Sequence, residues 1–262
     1  MKKILSIFFT LLCLINFSQK RSDINYLNGE WDIIYDYDNS GKNKKYKSDE
    51  GFSNGEIEKI QVPSVWERFK KDYEGVVYYR KRFKIDKSKK DKKIHLNFNA
   101  SNYITEVFVN NNSVGYHEGG FTPFNFNIEH VVDFEKDNTL IVKVIGPITI
   151  QDKVIDGIGQ METPQWRGSY TGGIWQDVFL SYTGQTHIKD VFINANHNNG
   201  DVKVNTEIIN GLGDGLYRLV SKVNDSNKSD ELIELKNSNL NVINITDIEV
   251  NNDKLWSPKN PF

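Results

Sequence analysis

Short runs of β-branched and aromatic residues, separated by polar turns, fill most of the chain after residue 20. Examples are Trp31–Tyr35, Val76–Phe83, Ile94–Phe98, Leu140–Val144 and Val178–Tyr182. Such residues are enriched in strands because they pack well on a pleated surface. Beyond the first 20 residues, no window of 11 or more repeats its apolar positions at the period of a helix. The pattern therefore predicts an all-β protein, built as a sandwich or a barrel.

The pattern changes after a small polar break at Thr183–Thr186. Four later runs alternate apolar and polar residues, which is typical of half-buried strands: Ile188–Ile193, Val202–Ile208, Tyr217–Val223 and Leu240–Ile245. About 75 residues of alternating strands predict a small immunoglobulin-like sandwich that is one strand short, since that fold normally takes about 100 residues.

A β-hairpin is predicted where Val107–Val109 and Val114–Tyr116 flank Asn110–Ser113. Asparagine tolerates the left-handed backbone conformation that a tight hairpin turn requires.

The first 19 residues have the pattern of a secretory signal peptide. A basic head with Lys2 and Lys3 precedes the apolar run Ile4–Phe17, which is too short to cross a bilayer as a helix. The alternative is a buried N-terminal helix. Removal of residues 1–19 would also remove Cys13, so we expect an exported, cysteine-free mature chain without stable membrane insertion.

Composition narrows the function classes further. The 262 residues are 38% hydrophobic and 26% charged, which excludes a disordered polyelectrolyte and a polytopic membrane protein. Lys and Arg total 33 against 35 Asp and Glu, so no excess of positive charge indicates a nucleic-acid partner. A single cysteine excludes a disulfide framework and a cysteine-based zinc site.

Three sequence patterns that could indicate a functional site lack the neighbouring residues or elements that such a site requires. Gly51–Gly55 has the spelling of a hydrolase nucleophile elbow but lacks the strand before it and the helix after it, so we interpret it as a polar loop. Asp36–Gly41 begins like a calcium loop, but Lys47 stands where the bidentate glutamate is needed. The five histidines show no paired ligand spacing and are interpreted as surface or strand residues. No metal-binding, nucleotide-binding or catalytic-triad pattern is left, and we predict no metal site and no cofactor.

The segment Asp156–Trp175 is long, irregular and rich in aromatic, amide, carboxylate and glycine residues. Long loops in a compact β domain tend to be functional, and this mixture suits a sugar ring, whose CH groups stack while its hydroxyls need directional partners. The alternative is that Trp166 and Trp175 fill the sandwich core, and this alternative is favoured for Trp175.

Five motifs in order give the chain a family resemblance. They are Leu27–Trp31, Gln61–Trp66, Val77–Phe83, the stretch from Val107 to Phe124, and Gly172–Val178. Together they resemble the N-terminal sugar-binding domain of glycoside hydrolase family 2, the β-galactosidase, β-mannosidase and β-glucuronidase family. Leu255–Pro261 is similar to the last strand of that family's immunoglobulin-like domain.

The resemblance implies a galactose-binding-like jelly roll over residues 22–182 and an incomplete immunoglobulin-like domain over residues 187–262. The family hydrolyses terminal β-glycosides with retention, using two glutamates in a (β/α)8 barrel that follows these domains. We therefore expect a non-catalytic front portion of an exported enzyme. Its partners would be a β-linked glycoside and a barrel on the same or a separate chain.

Within this family, some β-galactosidases place a carboxylate just before the tryptophan of the long loop. Here Pro164 and Gln165 precede Trp166, so the sugar is left open. The predicted sugar contacts are Trp166, Arg167 and Glu162. A free-standing carbohydrate-binding module without enzyme activity is the alternative function.

Overall fold

The computed structural model describes residues 24–146, 171–196, 200–223, 228–236 and 240–249. Strands dominate this part of the chain, as the pattern predicts: β1 (Ile24–Tyr26), β2 (Gly29–Asp36), β3 (Glu58–Val62), β4 (Val76–Phe83), β5 (Lys93–Phe98), β6 (Ile104–Val109), β7 (Asn112–Glu118), β8 (Phe124–Asn127), β9 (Asn138–Ile145), β10 (Val178–Thr183), β11 (His187–Ala195), β12 (Asp201–Ile209), β13 (Gly215–Lys222), β14 (Lys228–Leu235) and β15 (Asn241–Glu249). The described helical elements are α1 (Asp49–Ser53) and 3₁₀ turns at Trp66–Arg68 and Lys87–Lys89. The all-β prediction is confirmed.

Strands β1 to β10 form a jelly-roll sandwich of two antiparallel sheets. One sheet has the order β3-β2-β4-β9-β6-β7 and the other has the order β1-β10-β5-β8. Side chains from the inner faces of both sheets form one buried core, which includes Trp31, Tyr79, Leu96, Val142 and Leu180. Because alternate residues of a strand face opposite sides, strands such as β2, β5 and β9 contribute every second residue to this core, whereas all three residues of β1 are exposed.

A second, smaller core lies on the outer face of the six-stranded sheet. Residues 37–57 cross this face and bury Tyr46 and Phe52 against Tyr78 and Ile141. Within this segment Gly51–Gly55 is not the polar loop that its sequence predicts. Ser48 caps α1 by accepting a hydrogen bond from Gly51 N, and the fully buried Phe52 fixes the turn in place.

The hairpin prediction is confirmed at β6 and β7. Asn110 and Asn111 connect the two strands with φ values of 50° and 66°, which is the left-handed region that asparagine tolerates.

Strands β11 to β15 form the immunoglobulin-like unit. Its sheets have the orders β11-β12-β15 and β13-β14. The prediction that Ile188–Ile193 is half-buried is wrong, because every residue from Ile188 to Ala195 is exposed. In the described residues β11 pairs with β12 on one side only, so this edge strand is covered less than its sequence pattern implies.

Within the described ranges, no helix is long and apolar enough to cross a lipid bilayer.

Candidate functional site

The three predicted sugar contacts, Glu162, Trp166 and Arg167, lie outside the described residues. The described chain stops at Gly146 and resumes at Thr171, on either side of the segment 147–170 that contains them. The structure describes both of these ends, which form the base of the loop. The base consists of Gly146 and Thr171–Trp175 together with the side chains that hold them.

Trp66 is the central side chain of the loop base. It lies in the 3₁₀ turn after β3, is fully buried, and donates its indole N–H to Tyr73 O at 3.2 Å. A Cβ atom on Gly146 or Gly172 would lie 2.3 or 2.1 Å from Cζ2 of this ring. Such distances are far below van der Waals contact, so glycine at both ends of the loop lets the two chain segments close on the indole.

The carboxyl of Glu67 binds the backbone of Gly172, at the C-terminal end of the loop. Its Oε1 accepts a hydrogen bond from Gly172 N at 2.7 Å, while its Oε2 is buried without a hydrogen-bond partner among the described residues. Burial raises the pKa of Glu67 to about 7, although the backbone hydrogen bond from Gly172 acts in the opposite direction. The carboxyl is therefore divided between its two protonation states near neutral pH.

Asn102 forms further hydrogen bonds with the same end of the loop, at Thr171 and Gly173. Its backbone N–H donates to Gly173 O at 2.9 Å, and its carbonyl accepts from Gly173 N at 3.0 Å. Its side-chain amide also donates to Thr171 O. Residues 171–173 are thus fixed by hydrogen bonds from two separate parts of the jelly roll.

Aromatic rings lie beside this base at the protein surface. Trp175 is half-buried rather than a fully buried core residue, and its indole N–H donates to Gly120 O at 2.8 Å. The ring of Phe121 meets it edge to face at 5.8 Å and is 59% exposed. An exposed aromatic face next to hydrogen-bonding backbone is chemically suited to the CH face of a pyranose.

Sequence reasoning did not single out Trp66, Glu67, Asn102 or Phe121 as functional residues. A usable signal was present in the glycines at 146, 172 and 173, which bracket the long segment. Glycine at both ends of a loop often marks a close backbone approach. The tryptophan that fills the space is 80 residues away from Gly146, so its pairing with these glycines could not be read from the sequence.

The patterns set aside in the sequence have structural roles. Ser53 Oγ donates to Asp49 O and accepts from the Arg80 guanidinium, both at 2.8 Å. The Asp36 carboxylate accepts backbone N–H groups from Ser40 and Gly41. Across the ranges that the structure covers, no group of three or more His, Cys, Asp or Glu side chains is placed to hold a metal ion.

Comparison with protein families gives two matches. Residues 24–184 match the family described as glycosyl hydrolases family 2, sugar binding domain. Residues 186–262 match a second domain of glycosyl hydrolases family 2.

Curated relatives are much longer than this chain. A β-galactosidase of Thermoanaerobacter pseudethanolicus is 27% identical over 243 residues, which is 84% of this chain and 30% of the relative. A β-glucuronidase of Formosa agariphila is 26% identical over 211 residues, covering 72% of this chain and 21% of the relative. The chain therefore spans less than a third of the length of these relatives.

Solved structures share the fold. A family 2 β-glucuronidase superimposes with a TM-score of 0.72 at 21% identity, covering 90% of this chain and 27% of that one. The β-glucuronidase of Bacteroides uniformis gives a TM-score of 0.69 at 21% identity, covering 92% of this chain and 29% of that one.

Proposed function

Because the chain belongs to glycosyl hydrolases family 2, we propose that it is the sugar-binding, non-catalytic N-terminal portion of an exported β-glycosidase. The match of residues 24–184 to the family's sugar-binding domain is the observation that carries this proposal. The relatives include both β-galactosidases and β-glucuronidases, so the proposal names the β-linked glycoside as a class and leaves its sugar open.

The segment 147–170 is the proposed sugar-contacting element, through Trp166, Arg167 and Glu162. Its support is the loop base, where Trp66, Glu67 and Asn102 fix the returning chain at Gly172 and Gly173. A binding loop on a rigid base loses less entropy when its ligand binds, which favours affinity. The rings of Phe121 and Trp175 provide an aromatic surface beside the loop base.

The bond-breaking step is proposed to lie outside this chain. Retaining glycosidases use two carboxyl groups about 5–5.5 Å apart, one as acid/base and one as nucleophile. In the family that this chain resembles, both belong to the barrel. The proposed role of the present chain is to bind substrate and to shape the rim of the active site, on the same polypeptide as a barrel or beside one.

Export is proposed from the basic head and apolar run of residues 1–19. Production in a bacterial host, followed by N-terminal sequencing of the secreted protein, tests it. A mature terminus near residue 20 is expected, whereas a periplasmic or secreted protein that still starts at Met1 would contradict cleavage.

Thermal unfolding of residues 20–262 with a panel of β-linked sugars tests the binding function. A sugar that binds only the folded state at 100 times its Kd stabilises it by about 2.7 kcal/mol. We expect one class of β-glycoside to raise Tm, and Trp166→Ala to abolish that shift. Tyr116→Ala is the matched control, because Tyr116 is 72% exposed on β7. Failure of every sugar to raise Tm would refute binding by this chain.

Hydrolysis assays of the same protein test the non-catalytic role. No release of nitrophenol from β-linked nitrophenyl sugars is expected. Turnover that co-purifies with the chain through several columns would show that it carries catalytic carboxylates of its own.

A further inference from the structure

Three buried oxygen atoms beneath the loop base have no hydrogen-bond partner among the described residues. They are Tyr35 Oη, Tyr79 Oη and Glu67 Oε2. Most buried polar atoms in native proteins are hydrogen-bonded to protein or to ordered water, because an unsatisfied group loses its hydration without compensation. Three such atoms in one region therefore indicate a shared partner.

The strand register places the two tyrosines next to each other. Ile33 of β2 pairs with Tyr79 of β4, and Tyr35 pairs with Val77. Tyr35 and Tyr79 are therefore diagonal neighbours, and both belong to the inner core between the sheets. Diagonal pairs on one face are within reach of aromatic side chains.

Glu67 approaches this pair from the 3₁₀ turn. Burial is the largest cause that raises the pKa of both tyrosines, and the charge of Glu67 raises both further, after that of Glu58 for Tyr35. The nearby backbone N–H of Ile174 lowers the pKa of Tyr79 but offers its hydroxyl proton no acceptor. Tyr35 likewise raises the pKa of Tyr79. Each of the three groups thus lies within the electrostatic range of the other two, in a poorly solvated environment.

We propose that Tyr35, Tyr79 and Glu67 together bind one buried water molecule. The two phenolic O–H groups donate to the water oxygen, and the water donates to Glu67 Oε2. Three hydrogen bonds are the typical number for a buried structural water. The bound water satisfies all three atoms with a single small ligand.

This water connects the core to the loop base. Oε1 of the same carboxyl holds Gly172 N, and a Cβ on Gly173 would lie 2.5 Å from Tyr79 Oη. The water fixes the orientation of the carboxyl, and Glu67 becomes a positioning residue for residues 172 and 173. This inference goes beyond sugar binding and holds whether or not the chain binds a sugar.

Removal of single hydroxyl groups distinguishes a water-bound cluster from one that is simply unsatisfied. Tyr35→Phe and Tyr79→Phe in the full chain should each lower Tm by about 2–4 °C, since each removes one hydrogen bond to the water. Tyr73→Phe is the reference for loss of a satisfied buried hydroxyl, because Tyr73 Oη donates to Val76 O at 2.6 Å. Unchanged or raised Tm in both single variants would overturn the proposal.

The double variant and a crystal structure complete the test. Tyr35→Phe with Tyr79→Phe should lower Tm by less than the sum of the single effects, because both hydroxyls serve the same water. A high-resolution crystal structure of the full chain should show a water within hydrogen-bond distance of all three oxygens. A direct hydrogen bond between Glu67 and either tyrosine, with no water between them, would contradict the inference.

Discussion

Glu67 lies between two environments, with one oxygen on a backbone N–H group and the other in the core. A carboxyl in this position is stabilised in its neutral form by burial and in its charged form by the donor at Gly172. Its pKa of about 7 shows that burial dominates. The loop base therefore contains a group whose charge changes close to neutral pH.

Glu67→Gln should reduce the loss of stability that accompanies rising pH. The pKa of Glu67 is about 7 in the folded protein and about 4.5 in the unfolded chain. Between these values the folded state binds more protons, so the unfolding free energy of the wild type falls as pH rises through this range. Urea unfolding from pH 4.5 to pH 8 should show a flatter profile for Glu67→Gln. Parallel profiles for the two proteins would contradict the assignment.

His95 should act in the opposite direction. Burial and the nearby His187 lower its pKa below 6.5, against a smaller opposing effect of Glu129, and the two imidazole rings lie 5.4 Å apart. The unfolded state then binds more protons below about pH 6.5, so stability is lost as pH falls through this value. His95→Gln should retain more of its stability at pH 5 than the wild type does. The exposed His130 provides the control His130→Gln, which makes the same substitution away from the pair of His95 and His187. Equal profiles for His95→Gln and the wild type would contradict the assignment.

At the scale of elements, the loop base depends on close contact between the Trp66 indole and two glycines. Gly172→Ala introduces a methyl group 2.1 Å from the buried ring and should lower the unfolding free energy by about 1–3 kcal/mol. If the segment 147–170 binds sugar, the same change should also weaken that binding. Denaturant unfolding and ligand titration measure the two effects.

Gly184→Ala provides the comparison for Gly172→Ala. A Cβ on Gly184 would meet a single backbone oxygen at 3.1 Å, so a smaller loss is expected. Equal stability of Gly172→Ala and the wild type would mean that the indole and the loop base can separate at no cost.

The strands were predictable because the residues that determine each strand are adjacent in the sequence. Val76–Phe83 coincides with β4, and Asn110 and Asn111 identify the hairpin turn. The helix α1 was not predictable from its polar sequence, since it forms through the Ser48 cap and the burial of Phe52 on a distant sheet. The contacts of Trp66 with Gly146 and Gly172 are equally non-local. The residues Glu162, Trp166 and Arg167 remain predictions.

At the scale of the whole molecule, the two units differ in how much core they contain. Both clusters of the jelly roll are built from residues 27–182. In the described part of the second unit the buried apolar residues are few: Val204, Ile208, Leu219, Leu235 and Ile248. Residues 24–184 alone should therefore unfold cooperatively, with a Tm within about 5 °C of the jelly roll in the full chain.

The second unit expressed alone is the counterpart of that measurement. Residues 187–262 should show a broad, low transition, because a small domain buries a smaller fraction of its surface. A sharp transition at higher temperature than that of residues 24–184 would reverse this ranking of the two units.

The pairing of β1 with β10 has a consequence for the order of folding during synthesis. Ile24 pairs with Ser181, and Asn28 bonds Asp177 across 149 positions of sequence. In the described residues β1 has no other strand partner. During synthesis β1 therefore cannot pair until β10 has also left the ribosome. At about 5–20 residues per second this delay is roughly 8–30 s. Until β10 is synthesised, β1 stays without a strand partner and the edge of β5 that β10 later covers stays unpaired.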